Sequence, residues 1–444
     1  MIRTQALQRV VDLTDPSINM ILNMTVEEAR ERVAAGDPLR IREIDGQFGL
    51  VGQQGKIVRL ARSLGQPLRY FIAKQHDGPL LIVADRIDTI ARYLREQGLH
   101  DQFHPSYTRM VPAHYVTEIA LVGCPDPAPN YRRFFEPMRN RWEADVVQIG
   151  RRYVEALATE VERWLERIER HQPIGVLFSG GIDSGAVLLV LYAVLLRRGE
   201  SPSRLKAFTL SVGGRSPDSE QAWQFLHQLG LEMLWECCEV PPEAIDLDAA
   251  IRVIEDYKPW DVQAAAMNLA LCREIRRRYP PWLYLVDGDG GDENLKDYPL
   301  QDNPELTIRS VLSNPLLYHE GWGVQAIKHS LTYSGGQSRG HVRSYAPAQQ
   351  CGFRTFSPWA LPNVIEVSEG IPFVTLTDWD ETKLYELKGK VVRHGVKVVT
   401  GLEMPIFPKR RFQEGAVGGN QPRNLFPQHP AEYRRRFERL FAEL

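Results

Sequence analysis

The chain has 444 residues, a net charge of −2, 43% hydrophobic residues and 25% charged residues. That length predicts two or three domains, because single cores rarely grow past ~250–300 residues. The near-neutral charge argues against broad nucleic-acid binding, and the longest apolar run, residues 186–196, is too short to span a bilayer. Met1-Ile2-Arg3-Thr4 opens no apolar signal run, so a cytoplasmic protein is expected, with neither membrane nor nucleic acid among its partners.

Residues 1–45 read as partly helical, with a helix start at Thr25-Val26-Glu27-Glu28, whose acids suit a first turn. Residues 47–51, 56–61, 68–73 and 80–84 are short apolar or alternating runs between Gly, Pro and Asp turns, hence strands. Residues 87–97 form an amphipathic helix, and 110–119 return to a strand pattern. Pro125-Asp126-Pro127-Ala128-Pro129 is the best linker, which divides the chain into domains 1–128 and 140–444. A long amphipathic helix is expected over residues 144–170, on a stripe running from Val146 through Tyr153 and Trp164 to Ile168.

From Ile174 strands and helices alternate. Strands are expected at 174–178, 206–212, 232–240 and 282–287. Helices are expected at 186–196, 219–229, 245–257 and 267–278. This βαβ rhythm predicts a doubly wound parallel sheet with helices on both faces and a largely helical C-terminal part from residue 300, an α/β protein. Ligands of such sheets bind at the carboxyl ends of strands. Two glycine turns stand there. Leu177-Phe178-Ser179-Gly180-Gly181-Ile182-Asp183-Ser184 runs from a strand into a helix start, where backbone N–H groups converge on one spot, as suits a phosphate. Ser179 and Ser184 add hydroxyls, and Asp183 makes sense if Mg²⁺ bridges it to phosphates. Asp287-Gly288-Asp289-Gly290-Gly291-Asp292-Glu293 is the second turn, its glycines allowing close backbone approach and Asp289 and Asp292 offering carboxylates for metal or base work. No twelve-residue loop with a closing Glu is present, so an EF-hand is a poor reading. The five cysteines form no C-x-x-C pair, which leaves zinc with little support.

Together these turns resemble the asparagine synthetase-like family. Ser179-Gly180-Gly181-Ile182-Asp183-Ser184 is similar to its SGGxDS pyrophosphatase loop. Residues Gly288 to Glu293 with Tyr298 are similar to its G-E-G-x-D-E…Y segment. Ser211-Val212-Gly213 with Asp218, Ala222 and Leu229-Gly230 resembles the connecting stretch that helps hold adenine and ribose. Lys390-Val391-Val392-Arg393 resembles the K-x-x-L-R helix, and Lys409-Arg410-Arg411-Phe412-Gln413-Glu414-Gly415 the loop K-x-x-F-x-[DE]-G. The resemblance implies ATP and Mg²⁺ as cofactors. Leu177, Ser179, Gly180, Gly181, Asp183, Ser184, Ser211, Gly288 and Gly290 would bind the nucleotide. Asp183 and Asp292 would hold the metal. Lys409 would lie over the pyrophosphate and acyl-adenylate, Lys390 near the departing pyrophosphate, and Asp289 would take a proton or position the nucleophile.

Residues 45–51 and 60–68 resemble, more weakly, the late part of the family's N-terminal-nucleophile glutaminase domain. Its cysteine at position two is replaced by Ile2, and no cysteine lies in the first hundred residues. The implied first domain is a small α+β relic that does not hydrolyse glutamine. Asp289 stands where the family has Glu. Arg354 and Phe356 stand where the stretch G-x-E-x-R-x-P-F-L-D has its acid and arginine, so the asparagine synthetase substrate site is not intact. Arg354 is left to bind a carboxylate or pair with a surface acid.

The expected function is therefore an ATP-dependent carbon–nitrogen ligase that forms AMP and pyrophosphate. Its substrate is a small molecule or peptide carrying a carboxylate and an amine. β-Lactam synthetases and lasso-peptide cyclases, which lack the glutaminase cysteine, are the resembling enzymes, and they place it in specialised metabolism. An ammonia-dependent asparagine synthetase-like enzyme and a non-catalytic regulatory relative are the alternatives. A homodimer, or a partner protein from the same pathway, stays open.

Overall fold

The computed structural model describes residues 9–122, 127–297, 300, 307–316, 341–418 and 425–442. The linker residues Pro125 and Asp126, and Tyr298, lie outside them. Two compact units divide between Glu136 and Pro137, with the stretch from Phe437 onward grouped with the first. No helix among the described residues is long and apolar enough to cross a membrane.

The first unit holds two four-stranded sheets. One has Gly78–Ala84 between the parallel strand Val10–Asp12 and the antiparallel strand Arg69–Gln75, with Arg109–Met110 at the far edge. The other is antiparallel, in the order Asn130–Arg133, Tyr115–Ala120, Ile57–Arg62, Gly49–Gln54. Side-chain alternation sorts the layers. Tyr70, Leu81 and Val83 enter a buried core with Val58, Leu60 and Ile119 of the other sheet, whereas Phe71, Ala73, Leu80 and Ile82 pack on Ile90 and Leu94 of the helix Ile87–Glu96. The helix Val26–Ala35 covers the second sheet so closely that a side chain at Gly52 would meet the Ala34 backbone. Its start is a capping box, with the Glu28 amide donating to Thr25 Oγ1 at 3.2 Å and the Thr25 amide donating to Glu28 Oε2 at 2.8 Å. Residues 110–119 are two strands in different sheets instead of one. The chain turns at His114, whose φ is +63°, so the apolar pattern continues while the ladder does not.

The second unit is built on a five-stranded parallel sheet ordered Trp235–Val240, Leu205–Val212, Ile174–Leu177, Tyr284–Val286, Arg354–Phe356. Chain order reverses between Ile174–Leu177 and Tyr284–Val286. That is the topological switch point where a crevice opens beyond the strand ends. The fifth strand replaces the expected helical region locally. It is three residues long and borders Tyr284–Val286, too short for a periodic signal. The helix expected from residue 267 begins two turns earlier, at Pro259, a residue suited to a first helical position. The helix expected over 245–257 is Leu247–Ile254 and stops where Glu255 takes φ +54°.

The helix Thr382–Thr400 lies across the helix Val146–Glu166 at Gly150 and Gly395. A Cβ at Gly395 would overlap the Gly150 carbonyl, and one at Gly150 the Val391 carbonyl. Alanine gains about 1 kcal/mol of helix propensity over glycine, while overpacking costs about 1–3 kcal/mol. Because both obstacles are backbone, overpacking wins. Gly395→Ala is expected to destabilise the protein, read as a lower midpoint in urea denaturation.

Candidate active site

The two glycine turns leave adjacent strands at the switch point and touch backbone to backbone. Gly180 has φ +73°, and a Cβ there would come within 2.8 Å of the Ala222 amide on the helix Pro217–His227. A Cβ at Gly288 would come within 2.6 Å of the Ser184 amide, and one at Gly291 would overlap the Asp183 carboxylate. Only glycine permits these approaches. The helix Ile182–Arg197 starts at Gly181 with no side-chain cap, so its first N–H groups are left for a ligand.

A cavity of 380 Å³ opens over this junction. Of the residues expected to bind nucleotide, Leu177, Ser179, Gly181, Ser184 and Gly288 line it, as do Asp183, Asp289, Asp292 and Lys409. Gly180 and Gly290 do not; they shape the turns, Gly290 at φ +99° against Trp359 and Ala360. Ser211 is also outside the lining, its hydroxyl donating to the Gly214 carbonyl and closing its own turn. Thr209 and Leu210 of the same strand face the cavity instead.

Five charged side chains form its centre. Lys388 Nζ donates to Asp183 Oδ2 at 2.6 Å and also to Asp292 Oδ1, and lies 3.4 Å from Asp297 Oδ2. Lys409 Nζ reaches Asp292 Oδ1 at 3.2 Å, Asp297 Oδ2 at 2.6 Å and the Asp297 carbonyl at 3.0 Å. Burial pushes the Asp183 carboxyl up to about 7 despite Lys388. Burial also acts upward on Asp292, yet Lys388 and Lys409 together hold it below the ordinary carboxylate range. The ammonium of Lys388 loses solvation, but three surrounding carboxylates keep it charged. Asp183 Oδ1 is buried without a hydrogen-bond partner among the described residues. Two convergent carboxylates, one with an orphan oxygen, suit Mg²⁺, which takes one or two protein carboxylates and completes its shell with water and phosphate. No group of three or more His, Cys, Asp or Glu among the described residues could hold a metal alone.

Lys390, expected beside the pyrophosphate, is exposed and pairs with Glu386 at 2.5 Å. Two positions along a helix turn a side chain by about 200°, so the inward lysine is Lys388. Its signal was present. Leu384, Leu387, Val391, Val392 and Val396 form the buried stripe of that helix, and Lys388 is the cation on it. Asp297 and the role of Lys388 were missed. The Lys409 loop is held from below by the Tyr385 hydroxyl, which donates to the Phe407 carbonyl at 2.6 Å. Farther along, a Cβ at Gly415 would overlap the carboxylate of Asp218, which is buried and pushed up to about 7 by that burial, against Arg410.

Asp289 lines the cavity with one carboxylate oxygen buried and without a hydrogen-bond partner among the described residues. Its amide donates to Asp287 Oδ1 at 3.0 Å, and burial pushes its carboxyl up to about 7, against a hydrogen bond from Ser344 and the charge of Arg343. Arg354 is exposed at the amino end of its strand, paired in register with Tyr284, and does not line the cavity. Strand direction, invisible in the motif, puts it at the wrong edge. Arg343 lines the cavity instead. Phe356 is core, stacked on Trp164 with centroids 4.6 Å apart.

A parallel sheet with glycine turns and paired carboxylates at its switch point is an α/β domain of the kind whose ligands bind in that crevice. Residues 155–351 match the family model for asparagine synthase. That stretch is therefore similar to the asparagine synthase family, whose members are ATP-dependent ligases. The match includes both glycine turns, while Lys388 and Lys409 lie beyond it. No curated protein matches the chain.

Lys388→Met leaves buried carboxylates without their shared cation and is expected to cost about 3–5 kcal/mol. Lys390→Met removes an exposed pair and should cost under about 1 kcal/mol; thermal denaturation of both variants separates the two faces. Asp218 binds its proton more tightly when folded than when unfolded. Its contribution is therefore fullest below about pH 4 and is lost as pH rises toward 7. Asp218→Asn should flatten that decline, measured as denaturation midpoints at pH 4.5 and 7.

Proposed function

We propose that the protein is an ATP-dependent amide ligase that activates a substrate carboxylate as an acyl-adenylate, releases pyrophosphate, and lets an amine displace AMP. The observation that carries this reading is the convergence of Asp183, Asp292, Lys388 and Lys409 on one cavity beside the uncapped helix start at Gly181. A carboxylate resists amines because it is anionic and oxide is no leaving group; adenylation removes both obstacles.

The N–H groups at residues 182–184 and the hydroxyls of Ser179 and Ser184 bind the polyphosphate. Asp183 and Asp292 would hold Mg²⁺, which would supply charge neutralisation on the phosphates. Lys409, with its side chain 38% exposed, has room to swing from Asp297 toward charge developing at phosphorus and then at the acyl oxygen. Asp289, with an orphan oxygen and a carboxyl near neutrality, accepts the amine's proton. The shorter Asp289 supports a substrate other than aspartate, within ring closure or amidation of a peptide or amino acid.

The first unit serves as scaffold and does not hydrolyse glutamine. Its family-like stretch is used for packing: the buried Arg62 guanidinium donates to the carbonyls of Val111, Ser63 and Gln66. Lys409→Ala is expected to fold with an unchanged melting temperature within a few degrees while kcat falls about 10²–10³-fold, as for loss of one oxyanion donor. Substrate-dependent AMP and pyrophosphate release, screened across amino and β-amino acids, measures this. Full turnover by the variant removes the lysine from the mechanism.

A further inference from the structure

The structure assigns a carboxylate-binding subsite to Arg343 on the cavity wall. The helix Pro259–Arg278 clamps this residue at two points a helical repeat of seven apart. Asp261 Oδ1 accepts from Arg343 Nε at 3.1 Å, and Asn268 Nδ2 donates to the Arg343 carbonyl at 2.8 Å and to Ser344 Oγ at 3.3 Å. Both clamps are themselves buried, Asp261 and Asn268 being 4% and 7% exposed. A guanidinium presents two edges for paired hydrogen bonds. Here the Nε edge is anchored and the Nη pair makes no hydrogen bond among the described residues, although the side chain is three-quarters buried and lines the cavity.

An arginine kept only for stability would have its fork satisfied. This one is oriented, charged and open on the cavity side. Burial works against its charge, but Asp261, Glu293 and Asp289 act in the other direction and keep it protonated. Its fixed partners belong to neither the Ser179–Ser184 turn nor the Lys388–Lys409 pair, so the phosphate machinery leaves its fork free. The matching planar anion is a carboxylate of the acid substrate, either the reacting group or a second one. This naming of the ligand as substrate rests on the ligase reading; the anion subsite itself rests on geometry.

The test is calorimetric titration of the full chain with glutarate and with propionate at matched ionic strength, with Mg²⁺ and a non-hydrolysable ATP analogue. Wild type is expected to bind carboxylate, Arg343→Lys roughly ten-fold more weakly because the fork is lost, and Arg343→Ala without measurable heat. Glutarate binding without propionate binding identifies a second carboxylate; binding of both identifies the reacting one. Analogue binding equal to wild type reports that each variant is folded. No carboxylate binding by wild type, or equal binding by the variants, overturns the subsite. Arg343-dependent binding in a protein that takes no ATP analogue keeps the subsite and removes the ligase reading.

Discussion

The buried ammonium of Lys388 is the interaction on which the synthetase-like unit depends. It sits between Asp183 and Asp292, carboxylates carried by two different turns from two adjacent strands. Without a cation there, bringing those turns into backbone contact would place like charges together in a half-buried site, where partial desolvation and repulsion both oppose them. The glycines allow the approach; the lysine makes it tolerable. Because Lys388 comes from a distant helix, the site closes only when the C-terminal part of the chain has packed. Lys409 then adds a second, more exposed positive charge to the same cluster.

Much of this architecture could be read from residue order. The apolar strand at 174–177, the glycines after it and the Asp183 helix start predicted a phosphate-binding turn, and the second turn follows its strand as expected. The Thr25 helix start is a capping box within one residue of its expectation. What could not be read depends on direction and rotation. Lys390 and Lys388 differ by two positions and by opposite faces of one helix. Arg354 sits in a strand of three residues whose polarity sends it to the amino edge. The strand pattern over 110–119 persists through His114 although the backbone turns there, because apolar alternation records burial and not ladder continuity. Asp297 carries no local signal; its place is set by its amide, which donates to the Asp292 carbonyl at 3.0 Å.

In the first unit, the stretch around Arg62 carries packing. Arg62 is fully buried, and its guanidinium satisfies carbonyls of the loop that follows its own strand. Buried carbonyls without donors are costly, so this residue holds the loop whether or not the unit binds anything. Retention of such a stretch therefore reports on packing.

The contact between Gly150 and Gly395 has a further consequence. The two helices there stop against main-chain atoms, which neither rotate nor shorten. The half of the cavity that Lys388 serves is accordingly fixed by main chain, while the wall formed by Asn268 and Arg343 is made of side chains. Side chains on that wall can be exchanged without disturbing the main-chain contact that fixes the other half. The molecule thus joins a rigid gauge to a replaceable face.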